Sequence, residues 1–187
     1  MRSEGLIFLF DGLYSNTNYE KMLKLRYMLI NNELRKIKQR FEQKDVSFVV
    51  LKGISLAHRL YKNASNRYFG DIDLLITSNN LYEAMRIMEI LGYKTEGDTD
   101  EEIINDYLQQ VSRELHLMPF YKKVAGSVKI VVELHMDTVS LWMFRIEPRL
   151  TECILARRKI ENDIPVMDEC DTTIFQLYCR NESGICK

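Results

Sequence analysis

Apolar residues recur every three or four positions between Thr17 and Gln43, and this spacing predicts a long amphipathic helix. The positions that share one face are Leu23, Tyr27, Ile30, Leu34, Ile37 and Phe41. Lysine and arginine crowd the opposite face, which is typical of the solvent side of such a helix. We therefore expect residues 1–45 to form an N-terminal helical segment that packs on the core of the protein.

Two short and strongly apolar runs predict buried strands. The first, VSFVVLKG (Val46–Gly53), is rich in β-branched residues and ends in a glycine, which indicates a strand that leads into a turn. The second is DIDLLI (Asp71–Ile76). Between them, ISLAHRLY has helical spacing at Leu56, Leu60 and Tyr61, whereas KNASNRYFG is polar and loop-like.

Two more helices are predicted downstream of the second strand. Ser78 or Asn79 is placed to cap the first of them, and Gly92 is placed to end it. Its apolar positions include Leu81, Met85, Met88 and Leu91. Thr99 or Asp100 is placed to open the second helix, and acidic residues fill the first turn, where the helix dipole favours them. The apolar positions of the second helix are Ile103, Tyr107 and Val111.

The segments LHLMPFYKKV and SVKIVVELHM predict two strands joined as a hairpin at Ala125-Gly126. The order of elements predicts an α+β (mixed α/β) domain with a sheet of about four or five strands. We assign residues 46–150 to the core and 151–187 to a C-terminal extension, where the pattern weakens. In that extension, TTIFQLYCR predicts one or two helical turns, and NESGICK is expected to be frayed or truncated.

The composition is typical of one globular domain with a sizeable core. The chain has 187 residues, 46 % of them hydrophobic and 28 % charged, and a net charge of −1. Because there is no global basic surplus, a large nucleic acid is the less favoured partner. The cysteines contain no CxxC pair, and we expect them to be reduced structural thiols. They are Cys153, Cys170, Cys179 and Cys186.

No targeting or membrane-spanning segment is predicted. The initial segment MRSEGLIFLF has an apolar run of only five residues, whereas a signal peptide needs roughly 7. No stretch approaches the roughly 18 apolar residues of a membrane span. We therefore expect a cytoplasmic protein with no membrane partner.

The two carboxylates at the head of the second strand are the main chemical feature. Asp71 and Asp73 are one residue apart, so their side chains point to the same face of the strand. Two close carboxylates repel each other, and a divalent cation such as Mg²⁺ relieves the repulsion. The pattern alone is equally compatible with Asp71 as a helix-cap or turn residue.

A third carboxylate lies in the predicted strand VVELHM. Glu133 is flanked by apolar residues, and a carboxylate in such a position is costly unless it is paired or bound to a metal. A salt bridge to a lysine or arginine is the alternative. His135 lies on the same face, and it could be a metal ligand or a hydrogen-bond donor to one. A satisfied core histidine is the more common situation.

Basic and small residues near the predicted strand ends could bind phosphates. Lys52, Gly53 and Ser55 lie at the strand-to-helix turn, where a glycine lets the backbone approach a ligand. Arg67, in the loop before Asp71, could pair with a phosphate through two hydrogen bonds, or it could offset the carboxylates.

The ordered set LKGISLAHRLY, NRYFGDIDLLI, AMRIMEILGY and VELHM resembles the uncharacterised nucleotidyltransferase family of the DNA polymerase β-like superfamily. The resemblance covers residues 49–137. It implies a minimal nucleotidyltransferase fold, in which a small mixed sheet is flanked by helices. Asp71, Asp73 and Glu133 match the family's catalytic and metal-binding carboxylates, with Mg²⁺ or alternatively Mn²⁺ as cofactor.

The resemblance also implies a reaction and its participants. By a two-metal mechanism, an NMP would move from an NTP, such as ATP, to a hydroxyl of an unidentified acceptor, either a small molecule or a protein, with release of pyrophosphate. Lys52, Gly53, Ser55 and Arg67 would bind the nucleotide. Most turns of the superfamily read Gly-Gly or Gly-Ser, whereas Ile54 follows Gly53 here. The alternative is a catalytically inactive nucleotide-binding or protein-interaction module.

Overall fold

The computed structural model describes residues 17–95, 119–126, 128–136 and 150–182. Within these ranges five α-helices and a six-stranded mixed sheet confirm the predicted α+β class. The helices are α1 (Thr17–Glu42), α2 (Ile54–Leu60), α3 (Leu81–Ile90), α4 (Leu150–Arg157) and α5 (Glu169–Glu182). The strands are β1 (Phe48–Val50), β2 (Asp71–Ile76), β3 (Phe120–Val124), β4 (Val128–His135), β5 (Lys159–Glu161) and β6 (Ile164–Val166). Short 3-10 turns lie at Ala64–Asn66 and Ser78–Asn80.

The strands lie in the order β3-β4-β2-β1-β6-β5. β2 is parallel to β4 and β1 is parallel to β6, whereas the other neighbouring pairs are antiparallel. The register of β2 and β4 places Asp73 opposite Glu133. Two carboxylates that are 60 positions apart in the chain are therefore neighbours in the sheet.

Alternation along β2 divides its side chains between two layers. Ile72, Leu74 and Ile76 belong to the larger core, which also contains the buried faces of α1 and α3. Leu75 belongs to a second, smaller core, which contains buried residues of α4 and α5. Because side chains alternate across a strand, Asp71 and Asp73 lie on the same face as Leu75.

The predicted amphipathic face of α1 is confirmed. Ile30, Leu34, Ile37 and Phe41 are each no more than 1 % exposed and pack in the larger core. None of the helices in the described ranges has the length and apolarity to cross a membrane.

The helix predicted over ISLAHRLY is confirmed as α2, but the three residues whose spacing indicated it do not mark its buried side. Leu60 is 70 % exposed and Leu56 and Tyr61 are half-buried, whereas Ile54 and Ala57 are buried. The helix begins directly after the turn at Gly53, so its first turn, rather than its last, faces the core.

α3 ends as predicted but begins differently. Gly92 adopts a φ of 83°, and the Tyr93 N–H donates to the Met88 carbonyl, which completes a Schellman cap. At the other end, a 3-10 turn occupies the positions expected to cap the helix, and the N-cap is Asn80 with no side-chain capping bond.

The hairpin at Ala125-Gly126 is confirmed, and both residues have positive φ. The second hairpin, β5–β6, was not predicted. Its turn residues Asn162 and Asp163 also have positive φ, and β6 pairs with β1 through Val50 and Val166.

The described part of 151–187 therefore contributes two strands to the same sheet. Helix α5 has 14 residues, about four turns, whereas one or two turns were predicted. The domain division at 45 and 150 stays a prediction. The helix predicted over 99–111 and residues 183–187 lie outside the described residues.

A buried carboxylate links α1 to the sheet. Glu33 is 3 % exposed, and its oxygens accept hydrogen bonds from Lys36 Nζ at 2.6 Å, Lys122 Nζ at 2.8 Å and Tyr93 Oη at 3.2 Å. Burial alone would raise the pKa of Glu33, but the two lysines outweigh burial and lower it. The ionised carboxylate therefore stabilises the packing of α1 against β3.

This cluster predicts a specific pH dependence of stability. Because the pKa of Glu33 is lowered on folding, its contribution is fully present above the unfolded value of about 4.5. This contribution to stability is lost as the pH falls from 4.5 through the lower pKa that Glu33 has in the folded protein. We expect Glu33→Gln to reduce the free energy of unfolding by roughly 2 kcal/mol at pH 7, and the difference from the unmodified protein to shrink below pH 4.5.

Denaturant titrations at several pH values measure this difference, with the exposed Glu89→Gln as a control. A difference that stays constant between pH 7 and the acid limit of folding would contradict the assignment.

Candidate active site

The candidate site is assembled by β2, β4 and the turn after β1. In the parallel register of β2 and β4, Asp71 pairs with Val131, Asp73 with Glu133, and Leu75 with His135. Asp73, Glu133 and His135 therefore project from the same face of the sheet. Apolar residues that flank them fix both strands in the core, so the polar side chains are held rigidly.

The Asp73 side chain is completely buried and is the centre of the site. Its Oδ1 lies 3.1 Å from Lys52 Nζ and 3.1 Å from His135 Nε2. Its Oδ2 is buried and has no hydrogen-bond partner among the described residues. A buried carboxylate requires compensation, and here two cationic groups compensate one oxygen while the second oxygen remains available.

His135 links the two central carboxylates. Its Nε2 is 3.1 Å from Asp73 Oδ1 and 3.6 Å from Glu133 Oε2. Burial alone would lower the pKa of His135, but the hydrogen bonds and charges of Asp73 and Glu133 outweigh burial and raise it. This direction favours the imidazolium form of His135, which would offset part of the negative charge of the site.

Asp71 has a different environment from Asp73. It is half-buried at the head of β2. Burial raises the pKa of Asp71, the charge of Asp73 raises it further, and Lys52 offsets only part of the effect. The two aspartates share a face, as predicted. Asp73 contacts Lys52 and His135 directly, whereas burial and the charge of Asp73 disfavour the ionised form of Asp71.

The turn after β1 approaches the head of β2 closely. Gly53 has a φ of 62°, and a Cβ at this position would lie 3.6 Å from the Asp71 carbonyl oxygen. A side chain here would be strained because of the positive φ. The glycine thus brings Lys52 to the carboxylates. Burial opposes the charge of Lys52, but the carboxylates, Asp73 first among them, raise its pKa overall.

The other predicted nucleotide-binding residues line this turn. Ser55 is 4 % exposed, and its hydroxyl donates to the Lys52 carbonyl at 3.3 Å. Arg67 Nη1 lies 3.5 Å from the Gly53 carbonyl, and within the described ranges Arg67 forms no salt bridge. The roles of Lys52, Gly53, Ser55 and Arg67 in nucleotide binding stay predictions.

One residue that supports the site was not singled out from the sequence. Arg26 lies at the edge of the apolar face of α1 and donates to the carbonyls of Phe69 at 2.9 Å and Gly70 at 2.8 Å. It therefore fixes the chain immediately before Asp71. Its spacing of three residues from Leu23 and four from Ile30 is the signal that could have located it.

The donor atoms fit a divalent cation. One ligand atom from each of Asp73, Glu133 and His135 lies within 4.8 Å of the others, and the second oxygen of Asp73 lacks a partner among the described residues. Carboxylate oxygens are the ligands that Mg²⁺ and Mn²⁺ prefer. Asp71 lies outside this group of three but on the same face of β2.

The two aspartates predict opposite changes in stability. A carboxyl group whose pKa is raised on folding reduces stability once the pH exceeds its pKa in the unfolded chain. Asp71→Asn should therefore raise the melting temperature at pH 7 in EDTA. Asp73→Asn removes the buried countercharge of Lys52 and His135 and should cost roughly 2–3 kcal/mol. Thermal and denaturant unfolding measure both effects.

The exposed Asp45→Asn is the matched control, since asparagine tolerates its positive φ. Equal effects of Asp71→Asn and Asp73→Asn would show that the distinction between the aspartates is incorrect.

Comparison with known proteins supports the sequence resemblance over a longer range than the motifs alone. No curated protein matches the sequence significantly, and no solved structure does so. The sequence model of a family described as "Uncharacterised nucleotidyltransferase" matches residues 15–178, which span α1 through most of α5. The chain therefore belongs to this uncharacterised nucleotidyltransferase family.

Proposed function

We propose that the protein is a Mg²⁺-dependent nucleotidyltransferase that moves an NMP from an NTP to a hydroxyl acceptor and releases pyrophosphate. The observation that carries this proposal is the buried Asp73, which has one oxygen without a partner among the described residues and lies opposite Glu133 and beside the Lys52-Gly53 turn. Family membership supports the reaction class.

Asp71, Asp73 and Glu133 would hold the divalent ions, with Mn²⁺ as the alternative to Mg²⁺. Bound there, such ions would lower the pKa of the acceptor hydroxyl and stabilise the charge on the leaving oxygen. The Asp73 oxygen that has no partner in the described part of the chain supports this assignment, because a buried acceptor without a donor is costly unless a ligand satisfies it.

Glu133 is suited to contact the acceptor. Its side chain is 24 % exposed, whereas that of Asp73 is fully buried. A carboxylate that solvent reaches is also within reach of a substrate, and it can accept the proton of the attacking hydroxyl.

Lys52 and Arg67 are suited to bind phosphate oxygens. The Lys52 side chain is 39 % exposed, so its ammonium group can contact a ligand as well as Asp73. Arg67 borders the same turn and forms no salt bridge to another described residue, and its guanidinium can bind a phosphate through two hydrogen bonds. Gly53 would let the backbone approach the triphosphate.

A groove of about 480 Å³ borders the head of β2. Its lining includes Gly70, which precedes Asp71, and Val131, which pairs with Asp71. The partly exposed Tyr68 and the apolar side chain of Met22 also line it. The groove would hold an organic part of a substrate at the end of β2, and none of the three carboxylates lines it. A small-molecule or protein acceptor is proposed over a large nucleic acid because the net charge is −1, without a basic surplus.

A catalytically inactive nucleotide-binding module, or a protein-interaction module, is the second candidate. It is favoured by Ser55, whose hydroxyl is engaged with the Lys52 carbonyl, and by the bulky Ile54 after Gly53. A cytoplasmic location is proposed for either function.

Calorimetric titration of the full chain with each NTP tests binding. We expect binding to require Mg²⁺ and to be lost in Asp73→Asn. Transfer is then followed with NTP labelled at the α-phosphate, while release of pyrophosphate is measured in parallel. Glu133→Gln should slow transfer by about 100-fold or more, because it removes the proton acceptor. The exposed Glu152→Gln is the control.

Three outcomes separate the candidates. Label transfer with pyrophosphate release supports the enzyme. Mg²⁺-dependent binding that is never accompanied by pyrophosphate release indicates the inactive nucleotide-binding module. Absence of any Mg²⁺-dependent NTP binding would rule out both of these and leave the interaction module.

A further inference from the structure

The nitrogen of His135 lies where a third metal ligand is expected. Its Nε2 is 3.1 Å from Asp73 Oδ1 and 3.6 Å from Glu133 Oε2. Adjacent ligands of an octahedral ion with bonds of about 2.1 Å are about 3.0 Å apart. The His135 nitrogen is thus close to this spacing from one oxygen of each carboxylate, and one ligand atom from each of the three residues lies within 4.8 Å of the others.

The surroundings of His135 support this assignment. Its side chain is only 11 % exposed, and β4 fixes its backbone two residues after Glu133. Two carboxylates converge on the same ring nitrogen, whereas a histidine in a core needs only one partner for that atom. In the absence of a metal, a proton on Nε2 occupies the lone pair that would bind the ion.

A second observation is independent of the histidine. Asp73 is 0 % exposed, and its Oδ2 is a buried acceptor with no partner among the described residues. After Oδ1 has bound Lys52 and His135, the carboxylate thus retains an unused oxygen. This combination of an unused oxygen and a convergent nitrogen distinguishes the site from a cluster of acidic residues that only repel one another.

We propose that His135 binds a metal ion directly through Nε2, together with Asp73 and Glu133, and that this nitrogen makes the site prefer Mn²⁺ over Mg²⁺. The inference rests on the proposed function, since it concerns the same metal centre. It departs from the three-carboxylate set that the family resemblance implies. Mg²⁺ strongly favours oxygen ligands, whereas imidazole binds transition metals more tightly.

Pulsed electron paramagnetic resonance of the full chain with Mn²⁺ tests the inference without an activity assay. A directly bound histidine couples its ¹⁴N nucleus to the Mn²⁺ electron spin, and this coupling changes when the protein is labelled with ¹⁵N-histidine. We expect the nitrogen coupling in the unmodified protein and its loss in His135→Gln. Titrations should show that His135→Gln weakens Mn²⁺ binding by at least about tenfold, and Mg²⁺ binding by less.

The other two histidines provide matched controls. His58 hydrogen-bonds Tyr27 at 2.8 Å, away from the carboxylates, and His116 lies outside the described residues. His58→Gln and His116→Gln should each retain the nitrogen coupling. If His135→Gln fails to fold, an isotope-sensitive coupling that persists in both His58→Gln and His116→Gln still assigns the nitrogen to His135, because the chain has three histidines.

The outcomes separate this inference from the proposed function. Mn²⁺ bound in an Asp73-dependent manner without nitrogen coupling overturns the role of His135 and leaves the nucleotidyltransferase proposal intact. Coupling that survives in His135→Gln but disappears in either control also overturns it. Failure of the full chain to bind Mn²⁺ or Mg²⁺, even with NTP present, overturns both.

Discussion

The fully buried carboxylate of Asp73 lies 3.1 Å from both Lys52 Nζ and His135 Nε2, and the arrangement of the site depends on these contacts. A charge at this depth is tolerated only if cations reach it. The Gly53 turn brings Lys52 there, and the parallel pairing of β2 with β4 brings His135 and Glu133. Lys52 and His135 compensate the buried carboxylate in the metal-free protein, and a metal ion bound to Asp73 would provide the same compensation.

Local periodicity was sufficient to predict the elements that bury one clear face. The spacing of Ile30, Leu34 and Ile37 located α1, and the apolar run DIDLLI located β2. Strands β5 and β6 have only three residues each, so they carry no periodicity, and pairing with β1 stabilises them. For α2, the spacing of Leu56 and Leu60 predicted the helix but not the buried positions, which are Ile54, Ser55 and Ala57 in its first turns.

The residues of the site could be predicted from the sequence, but the contacts between their side chains could not. The alternation of a strand placed Asp71 with Asp73 and Glu133 with His135. Which pairs meet depends on the register between β2 and β4, which neither strand encodes alone. The same limit applies to Glu33: its spacing from Ile30 and Ile37 puts it on the buried face of α1, but its partner Lys122 comes from β3.

Anomalous diffraction from crystals grown with Mn²⁺ and a non-hydrolysable NTP analogue would locate the ion and the triphosphate together. We expect an anomalous peak bonded to Asp73 and Glu133, with the phosphates of the analogue beside Lys52 and Gly53. A triphosphate bound elsewhere, with Asp73 still paired to Lys52 and His135 and no ion beside it, would show that Asp73 is not part of a nucleotide-transfer centre.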